Sequence, residues 1–136
     1  MIGKYKGSYI YSNERIQLSL SRDKTIFNID ITEFDGVNFV GTVNEEPCGQ
    51  PGTGSIHGKI ENNTISFIKQ MQIAASITPE GKVKTYNSRH PKIYYEGKLV
   101  EDVYSGTWKI KFGFIFVGIL PIPIPPTSGK WEMEKV

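Results

Sequence analysis

Apolar and polar residues alternate along most of this chain in short runs, recurring at roughly the 8-to-12-residue spacing of antiparallel strands that bury one face. Tyr5, Gly7, Tyr9 and Tyr11 share one face of the first run, with Lys4, Lys6 and Ser8 on the other. Ile16, Leu18 and Leu20 then alternate with Gln17, Ser19 and Ser21, and Phe27, Ile29 and Ile31 with Asn28, Asp30 and Thr32. Phe39, Gly41 and Val43 make a fourth run, ended by Pro47 and the Gly49-Gln50-Pro51-Gly52 loop. Ile56, Gly58 and Ile60 are followed by Ile65 and Phe67, and a short run passes through Val83 and Thr85. The last runs carry Ile93, Tyr95, Gly97 and Leu99, then Gly106, Trp108, Ile110 and Phe112, then Gly129, Trp131 and Met133. No stretch holds a helical period over about ten residues. The pattern predicts an all-β domain over residues 1–136, with about eight to ten strands and with residues 12–35 read as strands.

Two local signals sharpen this picture. Asn62-Asn63 tolerates the positive φ angles of a tight hairpin, so 54–73 reads as two paired strands. Asn62-Asn63-Thr64 is also a glycosylation sequon, and the turn is the preferred reading. Ser105-Gly106-Thr107-Trp108 and Ser128-Gly129-Lys130-Trp131 repeat one pattern, echoed by Lys6-Gly7-Ser8-Tyr9. Glycine there frees space for a neighbour's large ring and allows the coiling that closes a sheet on itself, or simply starts a strand in a sandwich.

Composition adds mostly exclusions. With 38% hydrophobic and 22% charged residues the chain has an ordinary globular mixture, and a net charge of +2 implies no polyanion partner. The single cysteine, Cys48, allows no internal disulfide. With no leader-like start at Met1, it favours a cytoplasmic setting. The longest apolar run, 112–126, carries two glycines and four prolines and is too short and broken for a membrane span.

These pieces resemble the calycin group of small up-and-down β-barrels, which includes lipocalins and fatty-acid-binding proteins. The resemblance is carried by Gly3-Lys4-Tyr5-Lys6-Gly7-Ser8-Tyr9, by Gly106-Thr107-Trp108, and by Phe39-Val40-Gly41 through Gly54-Ser55-Ile56-His57-Gly58 to Ile65-Ser66-Phe67-Ile68-Lys69. It implies a single antiparallel barrel that holds a small ligand inside. The lipocalin glycine-any-tryptophan motif of the first strand is present only in a tyrosine version. The helical lid and the paired arginine and tyrosine of fatty-acid-binding proteins have no counterpart here. The opening is also similar to that of the haem-binding nitrobindins, but His57 and His90 lie mid-chain, so no haem or other cofactor is inferred.

Within such a barrel, counting by twos from Ile65 through Phe67 to Met71 places Lys69 on the apolar face, where an unpaired charge is expensive. It would meet a ligand carboxylate or an internal Asp or Glu; a bulge near Ile68 or a rim position would instead take it to water. Tyr5, Tyr9, Phe67, Lys69, Met71, Tyr95, Trp108 and Trp131 are the candidate ligand-binding residues, lining either a lumen for a largely apolar, neutral or anionic molecule or a filled core. Glu45-Glu46 and Glu101-Asp102 read as solvated turn charges. His57 faces outward, His90 falls in a loop, and no spacing suggests a metal site. Lys82, Lys84, Arg89, His90 and Lys92 with Tyr86, Tyr94 and Tyr95 form the sole basic and aromatic cluster, which suits single-stranded nucleic acid or, as the stronger reading, guards a sheet edge.

The remaining oddity is Val117-Gly118-Ile119-Leu120-Pro121-Ile122-Pro123-Ile124-Pro125-Pro126. Prolines two apart strip one strand edge of donors, so the segment pairs on one side only or runs as a polyproline arm. Ile119, Leu120, Ile122 and Ile124 would cap the barrel mouth, bury in a homodimer through 115–126, or bind a partner. The leading expectation is non-enzymatic binding of a small apolar ligand in the barrel. A protein-interaction or dimerisation module comes second, and an isomerase or cyclase last, because catalysis needs an acid and base that the inward faces do not supply.

Overall fold

The period-two runs fold as strands in the computed structural model, which describes residues 1–20, 22–46, 52–72, 74–77, 83–86, 90–111, 113–124 and 126–136. In chain order they are β1 (Gly3–Tyr11), α1 (Glu14–Ser19), β2 (Thr25–Phe34), β3 (Asn38–Glu45), β4 (Thr53–Glu61), β5 (Thr64–Met71), β6 (Ala74–Ile77), β7 (Val83–Tyr86), β8 (Ile93–Val100), β9 (Val103–Ile110), β10 (Gly113–Val117), β11 (Leu120–Ile124) and β12 (Thr127–Lys135). Eight of them close an antiparallel barrel in the order β1-β12-β9-β8-β5-β4-β3-β2. β6–β7 and β10–β11 are separate two-stranded hairpins. The barrel is up-and-down, with these two hairpins inserted between successive staves.

This connectivity makes the two ends unlike. At one end β2–β3, β4–β5 and β8–β9 are joined by short turns. Asn62 and Asn63 take φ of 50° and 64°, and Glu101 and Asp102 take 50° and 68°, the paired left-handed residues of a tight hairpin. At the other end lie all four longer connections, 12–24, 46–52, 72–92 and 111–126, which include α1 and both extra hairpins.

The inward parity is the one the alternation predicts. Ile65, Phe67, Lys69 and Met71 are all buried, with no register break in β5 against β4 or β8. A bulge does occur in β2, between Ile31 and Glu33 opposite β3, and it turns Phe34 toward the core.

The strand expected through Ile16, Leu18 and Leu20 is instead the helix α1. Asn13 caps it, its side-chain oxygen accepting from the Ile16 N–H at 3.2 Å, and Glu14 sits in the first turn where the helix dipole favours an anion. Gln17 fixes the helix in place by accepting from the Tyr11 N–H at 3.1 Å and donating to the Arg22 and Asp23 carbonyls, both at 2.9 Å. Leu20 buries and Leu18 remains 79% exposed. Three apolar residues cannot separate a period of two from one of 3.6, and the cap decides.

The repeated glycine-tryptophan pattern has a reciprocal explanation. In the β9–β12 register Gly106 faces Trp131 and Gly129 faces Trp108, so each strand supplies the space for the other's indole. A Cβ on Gly129 would lie 2.5 Å from Trp108 Nε1, and one on Gly97, next to Gly106 across β8–β9, would lie 2.9 Å from Trp131 Cζ2.

Candidate functional site

Glu45 ends β3, and Lys69 lies on β5 two strands away in the barrel wall. Both side chains turn inward and meet: Lys69 Nζ is 2.6 Å from Glu45 Oε2, with the side chains 2% and 0% exposed. The Glu45 backbone is partly open to solvent at the strand end while its carboxylate is fully enclosed. This corrects the expectation that Glu45 is a solvated turn charge. The signal was available, since counting by twos through Phe39, Gly41 and Val43 arrives at Glu45. The nearby Pro47 and glycine loop instead suggested that the strand had already ended.

Phenols complete the pair. The Tyr9 hydroxyl donates to Glu45 Oε1 at 2.7 Å, and the Tyr95 ring lies beside the ammonium. The Tyr11 ring meets that of Tyr9 edge-on at 5.8 Å between centroids. Lys69 Nζ also lies 4.9 Å from the Tyr9 ring centroid, 5.5 Å from that of Tyr95 and 5.7 Å from that of Phe27. The cation is thus enclosed by three ring faces and one carboxylate. Lys69 does meet a carboxylate, as its position requires, but the protein's own.

Burial alone would lower the Lys69 pKa, but the charge of Glu45, helped by the phenols, outweighs it and holds the pKa above that of ordinary lysine. Burial, then Glu45, raises Tyr9 well above the usual phenol range. Burial, then Glu45, also pushes Tyr11 up to about 12, and burial raises Tyr95 although Lys69 opposes it. All of these are upward shifts, so the folded state keeps protons that the unfolded chain releases. Their stabilisation is complete below about pH 10, where unfolded phenols and lysines remain protonated, and is lost as pH rises through the folded values. We expect stability to fall steeply above pH 10. Phenolate absorbance should show Tyr5, Tyr9, Tyr11, Tyr95 and Tyr104 ionising later than free tyrosine, together with unfolding. Ionisation of all seven tyrosines near pH 10 without loss of fold would contradict the buried cluster.

The eight residues expected to line the interior all bury inside the barrel, at three levels. Tyr5 is at the end with the short turns, edge-on to Tyr104 at 6.2 Å between centroids. Phe67, Tyr95 and Trp131 pack together across the middle, Phe67 stacking on Tyr95 at 4.6 Å and Trp131 meeting them edge-on at 5.4 and 5.5 Å. Tyr9, Lys69, Met71 and Trp108 lie nearer the long connections, where Trp108 also packs against the rings of Tyr9 and Tyr11 at 5.6 and 5.2 Å. Both indole N–H groups are satisfied by main chain: Trp108 Nε1 donates to the Ile10 carbonyl at 3.2 Å, and Trp131 Nε1 to those of Glu96 and Thr107, each at 3.1 Å. Among the described residues, polar side chains reach the interior at this end from the Tyr, Glu and Lys cluster and from Thr25, whose Oγ1 accepts from Arg22.

The other candidates disperse. His57 is exposed on the outer face, whereas His90 is 2% exposed and its Nδ1 lies 2.8 Å from the Pro91 carbonyl oxygen. The basic and aromatic cluster does not share a face: Tyr95 points inward, Lys92 is exposed, and the ring of Tyr94 lies 4.5 Å from Lys111 Nζ. Lys82, Arg89 and Cys48 lie outside the described residues. Among the described residues no three His, Cys, Asp or Glu side chains gather as a metal site would need, and no helix is long and apolar enough to cross a membrane.

The proline segment forms β11 and pairs only with β10 through the two-residue loop Gly118–Ile119. Gly118 has φ of 64°, the left-handed first position that such loops demand. Ile119 is 98% exposed and Leu120 61%, while Ile122 packs partly buried against the core. Ile124 takes part in the pairing. The chain matches no family model, no curated protein and no solved structure.

Proposed function

We propose that this barrel binds a small, largely apolar, ring-containing molecule at the end where the long connections gather, in the manner of the calycin group it resembles. The observation that carries the reading is the Lys69–Glu45 pair with Tyr9 and Tyr95, enclosed in the barrel below those connections. A barrel that only needs a core is served as well or better by aliphatic residues, since desolvating two charges costs several kcal/mol that their attraction barely returns. A retained polar cluster inside apolar walls is the arrangement by which ligand pockets fix orientation.

The rings of Phe67, Tyr95 and Trp131 fill the middle of the barrel. We therefore place the proposed ligand at the level of Tyr9, Tyr11, Lys69, Met71 and Trp108. Because Glu45 already neutralises Lys69, the favoured ligand is neutral, with one group that accepts or donates a hydrogen bond to the phenols.

Thermal unfolding against retinoids, steroids, fatty acids and haem tests the reading. A binder present at about 100 times its Kd should raise the melting temperature by roughly 9 °C. The apolar double variant Glu45→Leu with Lys69→Met should lose that shift while remaining folded. No shift with any of these classes would defeat the proposal, as would an unchanged shift in the double variant.

A further inference from the structure

The β10–β11 hairpin is not absorbed by the ligand reading, and its chemistry points elsewhere. In a hairpin with a two-residue loop the closing pair, here Val117 and Leu120, is hydrogen-bonded, and pairs then alternate. Ile115–Ile122 and Gly113–Ile124 are therefore hydrogen-bonded pairs, whereas Pro121 and Pro123 fall at the positions that face away from β10. Their missing N–H groups all belong to the outer edge of β11, which cannot accept another strand. At the apex, Ile119 and Leu120 project with 98% and 61% exposure, and Pro121 and Pro123 are exposed beside them. From Val103 to Trp131 the chain has no Asp or Glu; Lys109 and Lys111 are exposed where β9 leads into the hairpin, whereas Lys130 lies further down the barrel wall opposite Thr107, beside Asp23 and Glu132.

We infer that this hairpin docks the barrel onto an anionic lipid surface, Ile119 and Leu120 entering the headgroup region while Lys109 and Lys111, at its foot, meet the lipid phosphates. An apolar tip with cations and no carboxylate in the strands leading to it is the pattern of interfacial membrane binding, where apolar burial and attraction to anionic lipid add together. A second copy of this chain fits less well. The four exposed apex residues offer on the order of a few hundred Å², against the roughly 800 Å² per partner of a stable interface, and a symmetric contact would bring lysines together. A protein that adds a strand to β11 is refused by its proline edge. The inference does not rest on the ligand reading, although docking at this hairpin would bring the end with the long connections to the membrane.

Flotation of the full chain with phosphatidylcholine vesicles, with and without about 30% phosphatidylglycerol, is the test. The chain should float with the anionic vesicles, and the bound fraction should fall as salt rises. Ile119→Asp with Leu120→Asp, both at exposed sites, should reduce binding about tenfold with an unchanged circular-dichroism spectrum, and Ile119→Ser should reduce it less. Lys109→Gln with Lys111→Gln should weaken binding to the anionic vesicles alone. Failure of the unmodified chain to float with either composition overturns the inference. So does a double-Asp variant that binds equally well, or a dimer in sedimentation equilibrium that this variant dissolves while vesicles are ignored. The double-Asp variant should keep any ligand-induced melting shift, which separates this outcome from that of the proposed function.

Discussion

Glu45→Ala should lower the unfolding free energy in urea by about 3–5 kcal/mol, among the largest losses available from any single side chain in this barrel. Little of that is the worth of the pair itself. Removing the carboxylate leaves the Lys69 ammonium enclosed by the rings of Tyr9, Phe27 and Tyr95 with no anion, and leaves the Tyr9 hydroxyl without its acceptor. The double variant Glu45→Leu with Lys69→Met removes both charges at similar volume, and it should be as stable as the original or more so. The cycle therefore gives a large coupling of the sign that makes the second substitution rescue the first. If Glu45→Ala cost less than about 1 kcal/mol, the pair would have to be open to water and the site described above would not exist.

Gly106→Ala should be similarly damaging, at about 3 kcal/mol, for a steric reason. A Cβ there would lie 2.5 Å from the Gly97 Cα and 2.8 Å from the Glu96 carbonyl carbon, so the obstacle is backbone that cannot rotate aside. The methyl would also force β8 from β9 where the Trp131 indole donates to the carbonyls of Glu96 and Thr107. Gly118→Ala is the control: nothing lies within 4 Å of its Cβ, and only the φ of 64° opposes it. That substitution should cost about 1 kcal/mol. Equal effects at the two positions, measured by thermal or urea unfolding, would mean that the close approach of β8 and β9 does not govern stability.

The barrel and the inward face were legible because period-two alternation is read directly from residue order, and a closed sheet obeys it along every stave. Asn62-Asn63 announced its turn for an equally local reason. What could not be read depended on competition or on distance. Around Asn13 a side-chain cap outweighed an alternation of only three residues. At Glu45 the parity was correct but the strand's end was misplaced, and the identity of Lys69's partner then followed from β3 and β5 being separated only by β4, a fact of register. An internal acid was therefore missing from the list of inward groups, and the argument that ranked catalysis last lacked that group. For the glycine-tryptophan repeat, sequence supplied the motif and its purpose, while the reciprocal partnering of Gly106 with Trp131 and Gly129 with Trp108 needed the register of β9 on β12.

The position of β12 has a consequence for how the chain comes off the ribosome. β12 closes the ring by pairing with β1, the first stave, and with β9, and it is made after both. Until Thr127–Lys135 emerges, β1 and β9 are paired only on their β2 and β8 sides, and the edges of Tyr5–Tyr11 and Val103–Ile110 that face β12 stay open to matching edges on neighbouring nascent chains. Ring closure is thus the last pairing and the most distant in sequence, and the slow step at which the two edges are exposed to aggregation.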